Sequence, residues 1–61
     1  MNNKFEIHDL VLVKNYRNEY VETEISAIHV YEDGIYYDLV LDGEQYYREI
    51  EESDLFVSGS L

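Results

Sequence analysis

The sequence predicts a single small all-β domain built from five antiparallel strands. Apolar residues recur at every second position over most of the chain, which is the periodicity of strands rather than helices. Two Asp-Gly pairs, at 33–34 and 42–43, stand where hairpins would turn. With 61 residues, the chain forms one domain at most, and its stability depends on one compact core.

Apolar residues occupy both faces of the first predicted strand. One parity carries Phe5, Ile7, Val11 and Val13. A turn or bulge at His8-Asp9 interrupts this alternation, and Leu10 and Leu12 take the opposite parity. The strand is therefore either covered on both sides or leaves an exposed apolar stripe. A polar loop over residues 15–19 follows it.

The second predicted strand begins at Tyr20 and changes parity near Ala27-Ile28. The apolar-face positions are Val21, Thr23 and Ile25 before the change, and Ile28 and Val30 after it. A one-residue slip of this kind predicts a β-bulge, which bends a strand as a small barrel requires.

Three further strands complete the prediction. A turn at 32–34 leads into the third strand, 35–41, and the Asp-Gly turn at 42–43 leads into the fourth, 44–50. Residues 51–54 are too polar for a strand and predict one 3₁₀ turn, after which 55–57 form the fifth strand. The domain thus covers residues 1–57, and residues 58–61 are expected to be a frayed tail.

This order of elements resembles the small SH3-like β-barrels, including the Tudor-like and KOW-like types found among short phage and bacterial proteins of unknown function. The resemblance covers residues 4–57. It rests on the Phe-x-Ile-x-Asp-x-Val-x-Val pattern of 5–13, the two Asp-Gly hairpins and the polar turn before Asp-Leu-Phe-Val at 54–57. It implies a small five-stranded SH3-like antiparallel barrel, although such a fold does not fix a function.

Two departures separate this chain from that family. His8 stands where many of its members have Gly before the Asp of the first turn. Nucleic-acid-binding members carry Lys or Arg on the outer faces, where this chain has Leu10, Leu12, Glu22, Glu24 and Asp38. The fold therefore transfers from the family better than its binding functions do.

The charge balance argues against direct binding of nucleic acid or of an anionic membrane. Fourteen acids face four bases, for a net charge of −10. Residues 1–17 hold three bases and two acids, whereas residues 18–61 hold twelve acids and Arg48 alone. Such a surface repels phosphates. It favours a partner protein with a basic surface, unless the acidity serves only solubility or a salt-adapted source.

No motif predicts catalysis, a metal or a cofactor. The sequence has no phosphate loop, nucleophile elbow or His-Glu-x-x-His, and it has no cysteine. His8 and His29 are expected in structural or surface roles, and the acidic run at 51–54 as solvated surface. The longest apolar run, 10–13, is too short to span a bilayer, and no signal peptide is visible. We expect a soluble, cytoplasmic, non-enzymatic protein.

The outer face of the second and third strands is the leading candidate for a binding surface. It carries Tyr20, Glu22 and Glu24 from one strand and Tyr36, Asp38, Val40 and Asp42 from the other. Strand neighbours two apart are separated by about 6.6–6.8 Å, so these carboxylates form ordered rows that can imitate nucleic-acid phosphates. This predicts a small acidic binding protein, a phage-encoded inhibitor that blocks a basic surface of a host or defence protein.

A second hypothesis starts from Leu10 and Leu12, joined by Tyr46 or Phe56. An apolar stripe marks a protein contact if it is exposed. The chain is then an SH3-like interaction or structural module, for instance a homodimer. In that case the acidic rows are an ordinary solvated sheet face.

Overall fold

Five antiparallel strands form one sheet in the computed structural model, which describes residues 3–58. The elements are β1 (Leu10–Lys14), β2 (Tyr20–Tyr31), β3 (Gly34–Leu41), β4 (Glu44–Glu51), a 3₁₀ turn (Glu52–Asp54) and β5 (Leu55–Val57). The strand order across the sheet is β4-β3-β2-β1-β5. The all-β prediction is confirmed, together with both hairpins and the final 3₁₀ turn.

The sheet is open over residues 3–58, with β4 and β5 as its two edges. We expected the sheet to close into a barrel. Within residues 3–58 no ladder of hydrogen bonds joins β4 to β5, so this closure is not observed. The predicted bulge in β2 is present: Ile25 pairs with Leu39 and Ala27 with Asp38, which leaves Ser26 as the extra residue. The bulge divides β2 into a part that pairs mainly with β1 and a part that pairs with β3.

The inner face of the sheet carries the core. Its buried apolar residues, each at most 7% exposed, are Phe5, Val11, Val13, Ile25, Ile35, Tyr37, Leu39 and Leu55. Thr23 is also buried and donates its hydroxyl to the Val11 carbonyl at 3.3 Å, so its polar atom is satisfied. Full burial of one such aliphatic or aromatic side chain contributes about 1.5–3 kcal/mol, and the strand alternation supplies these side chains to one face.

Ile7 and Val30, predicted on the apolar face, are exposed. Ile7 is 41% exposed, because it belongs to the turn in which the Asp9 amide donates to the Glu6 carbonyl and His8 has a φ of 75°. Val30 is 59% exposed although its β3 partner Ile35 is buried, because it lies next to the last residue of β2, at the end of the hairpin.

Short loops set the strand register. In the Asp42-Gly43 turn both residues have positive φ, 53° and 80°, which is the conformation that suits a two-residue hairpin between twisted strands. In the loop after β1, the Asn15 side-chain oxygen accepts the backbone N–H groups of Arg17 and Glu19, both at 2.9 Å. These local bonds fix the turns where the sequence placed them.

Tyr37 connects the core to two chain segments, the residues before β1 and the 3₁₀ turn after β4. Its hydroxyl donates to Glu52 Oε2 at 2.5 Å and accepts the Phe5 backbone N–H at 3.4 Å. Glu52 also accepts the Lys4 backbone N–H at 2.8 Å. Burial and the bond to Glu52 raise the pKa of Tyr37 to about 12, whereas the bonds from Lys4 and Tyr37 hold the pKa of Glu52 below its usual value.

Candidate binding surface

The β2 bulge divides the outer face into two surfaces with different contents. The Leu10 surface lies before the bulge and consists of Leu10, Leu12, Tyr20, Glu22, Glu24 and Phe56. The Tyr31 surface lies after it and consists of His29, Tyr31, Tyr36, Asp38 and Glu49. The predicted partner-binding residues are therefore split: most fall on the Leu10 surface, but Tyr36 and Asp38 fall on the Tyr31 surface.

The predicted acidic rows do not run as one continuous ladder. Glu24 lies opposite Val40, and Asp38 lies opposite Ala27 on the other side of the bulge. Asp42 lies in the turn after β3, near the β2 acids that precede the bulge. Glu22, Glu24 and Asp42 therefore form one group beside the Leu10 surface, separated by the bulge from Asp38.

An exposed apolar stripe runs through the Leu10 surface. Leu12 on β1 lies opposite both Phe56 on β5 and Glu22 on β2. The Phe56 and Tyr20 rings meet edge to face across β1, with centroids 5.6 Å apart. Leu10 is 52% exposed and Phe56 39% exposed. The terminal strand thus extends the sheet beside the stripe and leaves it open to solvent.

Of the two residues predicted to join this stripe, Phe56 does so and Tyr46 does not. Tyr46 is half-buried and packs against the core, with its ring centroid 4.6 Å from that of Tyr47. Tyr20 completes the stripe in its place.

Three carboxylates border the stripe on its β2 side. Glu22, Glu24 and Asp42 line a groove of about 430 Å³ together with Leu10 and Val40. His8 Nδ1 lies 2.6 Å from Glu24 Oε2, and the Ser58 hydroxyl donates to Glu22 Oε2. Each glutamate uses one oxygen in these bonds. Residues 59–61 of the predicted tail lie outside the described residues.

Lys14 lies at one end of this surface, opposite Tyr20 on β2. Its Nζ lies 5.6 Å from the centroid of the Tyr20 ring, which is within cation–π range. The Leu10 surface therefore combines exposed apolar side chains, a bordering row of carboxylates and a single lysine at one end. Exposed apolar area bordered by polar groups is typical of a protein-binding surface.

Both tyrosine hydroxyls of the Tyr31 surface donate to nearby carboxylates. The Tyr31 hydroxyl donates to Glu49 Oε1 at 2.6 Å, and the Tyr36 hydroxyl donates to Asp33 Oδ2 at 3.1 Å. The hydrogen bond to Glu49 raises the pKa of Tyr31, and the bond to Asp33 raises that of Tyr36. The His29 and Tyr31 rings stack with centroids 6.1 Å apart.

Asp38 joins three strands, a role that the sequence did not reveal. Its side chain is 17% exposed, and His29 Nε2 lies 3.1 Å from its Oδ2. Its Oδ1 accepts the Glu49 backbone N–H at 3.0 Å. Burial acts to raise the pKa of Asp38, but the His29 contact and the Glu49 N–H outweigh it and hold the pKa below its usual value.

The Glu49 amide needs this acceptor because β4 is bulged. Tyr37 pairs with Ile50 and Leu39 with Tyr47, so two β4 residues lie opposite Asp38 alone. Glu49 has a φ of 51°, as the extra residue of a bulge can. The sequence carries a signal for this: Tyr47 and Ile50 both face inward although they are three positions apart.

The described part of the chain, residues 3–58, holds no cluster of three or more His or acidic side chains suited to a metal ion. None of its helical segments is long and apolar enough to cross a membrane. No family model matches this chain, and neither a curated protein nor a solved structure matches it significantly.

Proposed function

We propose that this chain is a non-enzymatic binding protein that recognises a partner protein with a basic surface, and that the Leu10 surface is its binding site. The observation that carries the proposal is the position of Glu22, Glu24 and Asp42 around one groove beside the exposed side chain of Leu10. Carboxylates give such a contact long-range attraction, and the apolar side chains give it desolvated area.

Phosphate mimicry is the proposed mode of action, in which the chain occupies a basic surface that otherwise binds nucleic acid. The net charge of −10 and the three carboxylates of the groove support it. Asp38 does not contribute, because its oxygens already contact His29 and the Glu49 amide. A cytoplasmic, phage-encoded inhibitor of a host or defence protein is the biological role consistent with this mode.

An SH3-like barrel is the proposed architecture behind this surface. The strand order β4-β3-β2-β1-β5 supports it, as do the bulge within the 12-residue strand β2 and the 3₁₀ turn before β5. Closure of the sheet through side-chain packing at its open seam would be consistent with this architecture.

The proposed function is tested by affinity capture from extracts of the source cell and of its host. We expect a specific protein to bind at low salt, to elute as salt screens the charges, and to be displaced by added duplex DNA or by RNA. The purified chain should bind neither DNA nor RNA on its own.

Charge reversals locate the contact within the same experiment. Glu22→Lys and Glu24→Lys should reduce capture strongly, while the control Glu6→Lys, outside the Leu10 surface, should leave it unchanged. Capture that survives both reversals and nucleic-acid competition would show that another surface carries the function.

A structural or self-associating module is the second candidate, favoured by the exposure of Leu10 and Phe56. Sedimentation velocity decides between the two. A dimer that forms at micromolar concentration and is lost in Leu10→Ser would assign the stripe to self-association.

A further inference from the structure

We infer that the Leu10 surface binds an amphipathic segment of its partner, in which Lys or Arg side chains flank a short row of apolar side chains. This inference rests on the proposed function and specifies the class of segment that the partner presents. It is carried by the arrangement of apolar and acidic groups on one side of β1.

The apolar stripe has the dimensions of a short row of partner side chains. Leu10 and Lys14 stand at the two ends of β1, a separation of roughly 13 Å at the rise of a strand. Leu12, Tyr20 and Phe56 fill the interval, and the Tyr20 and Phe56 rings are in contact. Two or three apolar side chains spaced by one helical turn, about 5–6 Å apart, fit along this length.

The acidic groups are arranged along one side of the stripe. Glu22 and Glu24 follow β2 next to Leu12 and Leu10, and Asp42 closes the groove at the same end. The bonds to Ser58 and His8 use only Oε2 of each glutamate, so within residues 3–58 their Oε1 atoms are left for an incoming donor. Basic side chains that flank the partner's apolar row would meet these oxygens, and the apolar row would fill the stripe.

The same charges argue against a second copy of this chain as the occupant. Each copy would bring Glu22, Glu24 and Asp42 to the contact, and each carries a net charge of −10. Like charges opposed across an interface disfavour the complex. Charge complementarity therefore selects a basic amphipathic partner over self-association.

Three synthetic peptides probe the inference. The first is a helical peptide of Leu, Lys and Ala with Leu on one face and Lys on both flanks. The second has the same composition with Leu dispersed around the helix, and the third is oligolysine. Titration into ¹⁵N-labelled protein should shift the amides of Leu10, Leu12, Tyr20 and Phe56 with the first peptide. The first peptide should bind at least about fivefold more tightly than the other two.

Matched variants separate the two halves of the surface. Leu10→Ser should weaken binding of the first peptide by about fivefold or more, whereas Val30→Ser, at a comparably exposed aliphatic residue off the surface, should leave it unchanged. Glu22→Lys should weaken binding of all three peptides. Glu6→Lys is its matched control.

The outcomes distinguish this inference from the proposed function. Equal binding of all three peptides, unaffected by Leu10→Ser, would overturn the inference and leave recognition of a basic partner intact. No binding of any basic peptide at about 0.05 M salt, where charge attraction is strongest, would overturn both. A form of the first peptide with Gln in place of Lys should bind more weakly, and equal binding of the two forms would overturn the inference. A homodimer that dissociates in Leu10→Ser would also overturn it.

Discussion

The two halves of the outer face belong to one sheet and are both acidic, but their carboxylates make different contacts. On the Tyr31 surface, Asp38 and Glu49 each contact a neighbouring side chain, and Asp38 also accepts a backbone amide. On the Leu10 surface, Glu22 and Glu24 each bond one neighbouring side chain through a single oxygen, and both border exposed apolar side chains. Asp38 thus links three strands, whereas Glu22 and Glu24 keep an oxygen for the partner that we propose. A count of charges from the sequence cannot tell these two arrangements apart.

The largest expected effect is a difference in stability between two variants, each of which removes one acid from one of the two surfaces. Asp38→Ala should lower the free energy of unfolding by about 2 kcal/mol, because it removes the acceptor of the Glu49 amide and the carboxylate that contacts His29 Nε2. The matched change Glu24→Ala, on the Leu10 surface, should cost about 0.5 kcal/mol or less. Urea denaturation measures both. Equal costs would mean that the Tyr31 surface is not an internally bonded network.

The stability of Asp38→Ala at acidic pH gives a second test. The pKa of Asp38 is lowered in the folded protein, so its contribution is present above the unfolded value of 3.8 and is lost as pH falls below it. The stability gap between wild type and Asp38→Ala should therefore narrow in acid. A gap that stays constant down to about pH 2 would show that the carboxylate charge does not matter there.

A tyrosine–carboxylate pair in the core serves as a reference for those on the surface. Tyr37→Phe should cost about 1 kcal/mol at neutral pH, because it removes the bond to Glu52. The pKa of Tyr37 is raised to about 12, so this stabilisation holds below pH 10 and is lost as pH rises toward 12. Denaturation across that range should show a steeper decline in wild type than in the variant, which retains the raised pKa values of Tyr31 and Tyr36.

The two leucines of the Leu10 surface should differ in their effect on stability. Leu12 is half-buried between two neighbouring strands, so Leu12→Ser should cost about 1–2 kcal/mol. Leu10 is 52% exposed, and Leu10→Ser should cost about 0.5 kcal/mol or less. Thermal unfolding of both variants measures the difference. If Leu10→Ser unfolds the domain, the stripe is part of the core and not a binding surface.

The smallest expected effect concerns a titration and leaves stability unchanged. The hydrogen bond to Glu49 is the main cause of the raised pKa of Tyr31, so Glu49→Gln should move that pKa back toward 10. The backbone amide that Asp38 binds is retained in this variant. NMR titration of the Tyr31 ring reports the shift, and Glu22→Gln, on the other surface, should leave it unchanged.

The sequence predicted the strands well because two local signals coincide. Alternation of apolar residues marks each strand, and Asp-Gly pairs lie at two of the hairpins, so the predicted third and fourth strands agree with β3 and β4 to within one residue at each end. Parity alone also located the bulge between Ile25 and Ala27.

What the sequence did not provide is the pairing between strands. Asp38 meets His29 and the Glu49 amide only because bulges in β2 and β4 set the register on both of its sides. A single-strand pattern places Asp38 on the outer face, but it cannot say which side chains lie next to it. The same limit explains why strand parity predicts the two acidic rows as one surface.

The open sheet has a consequence for how the chain behaves among its own copies. An exposed edge strand can template the addition of another strand and begin aggregation. Here one edge, β5, is only three residues long, and the other, β4, is interrupted by the residue pair opposite Asp38. Neither edge offers a long, flat row of backbone groups. The β4 bulge, where Asp38 accepts the Glu49 amide, therefore disfavours the addition of further strands at this edge.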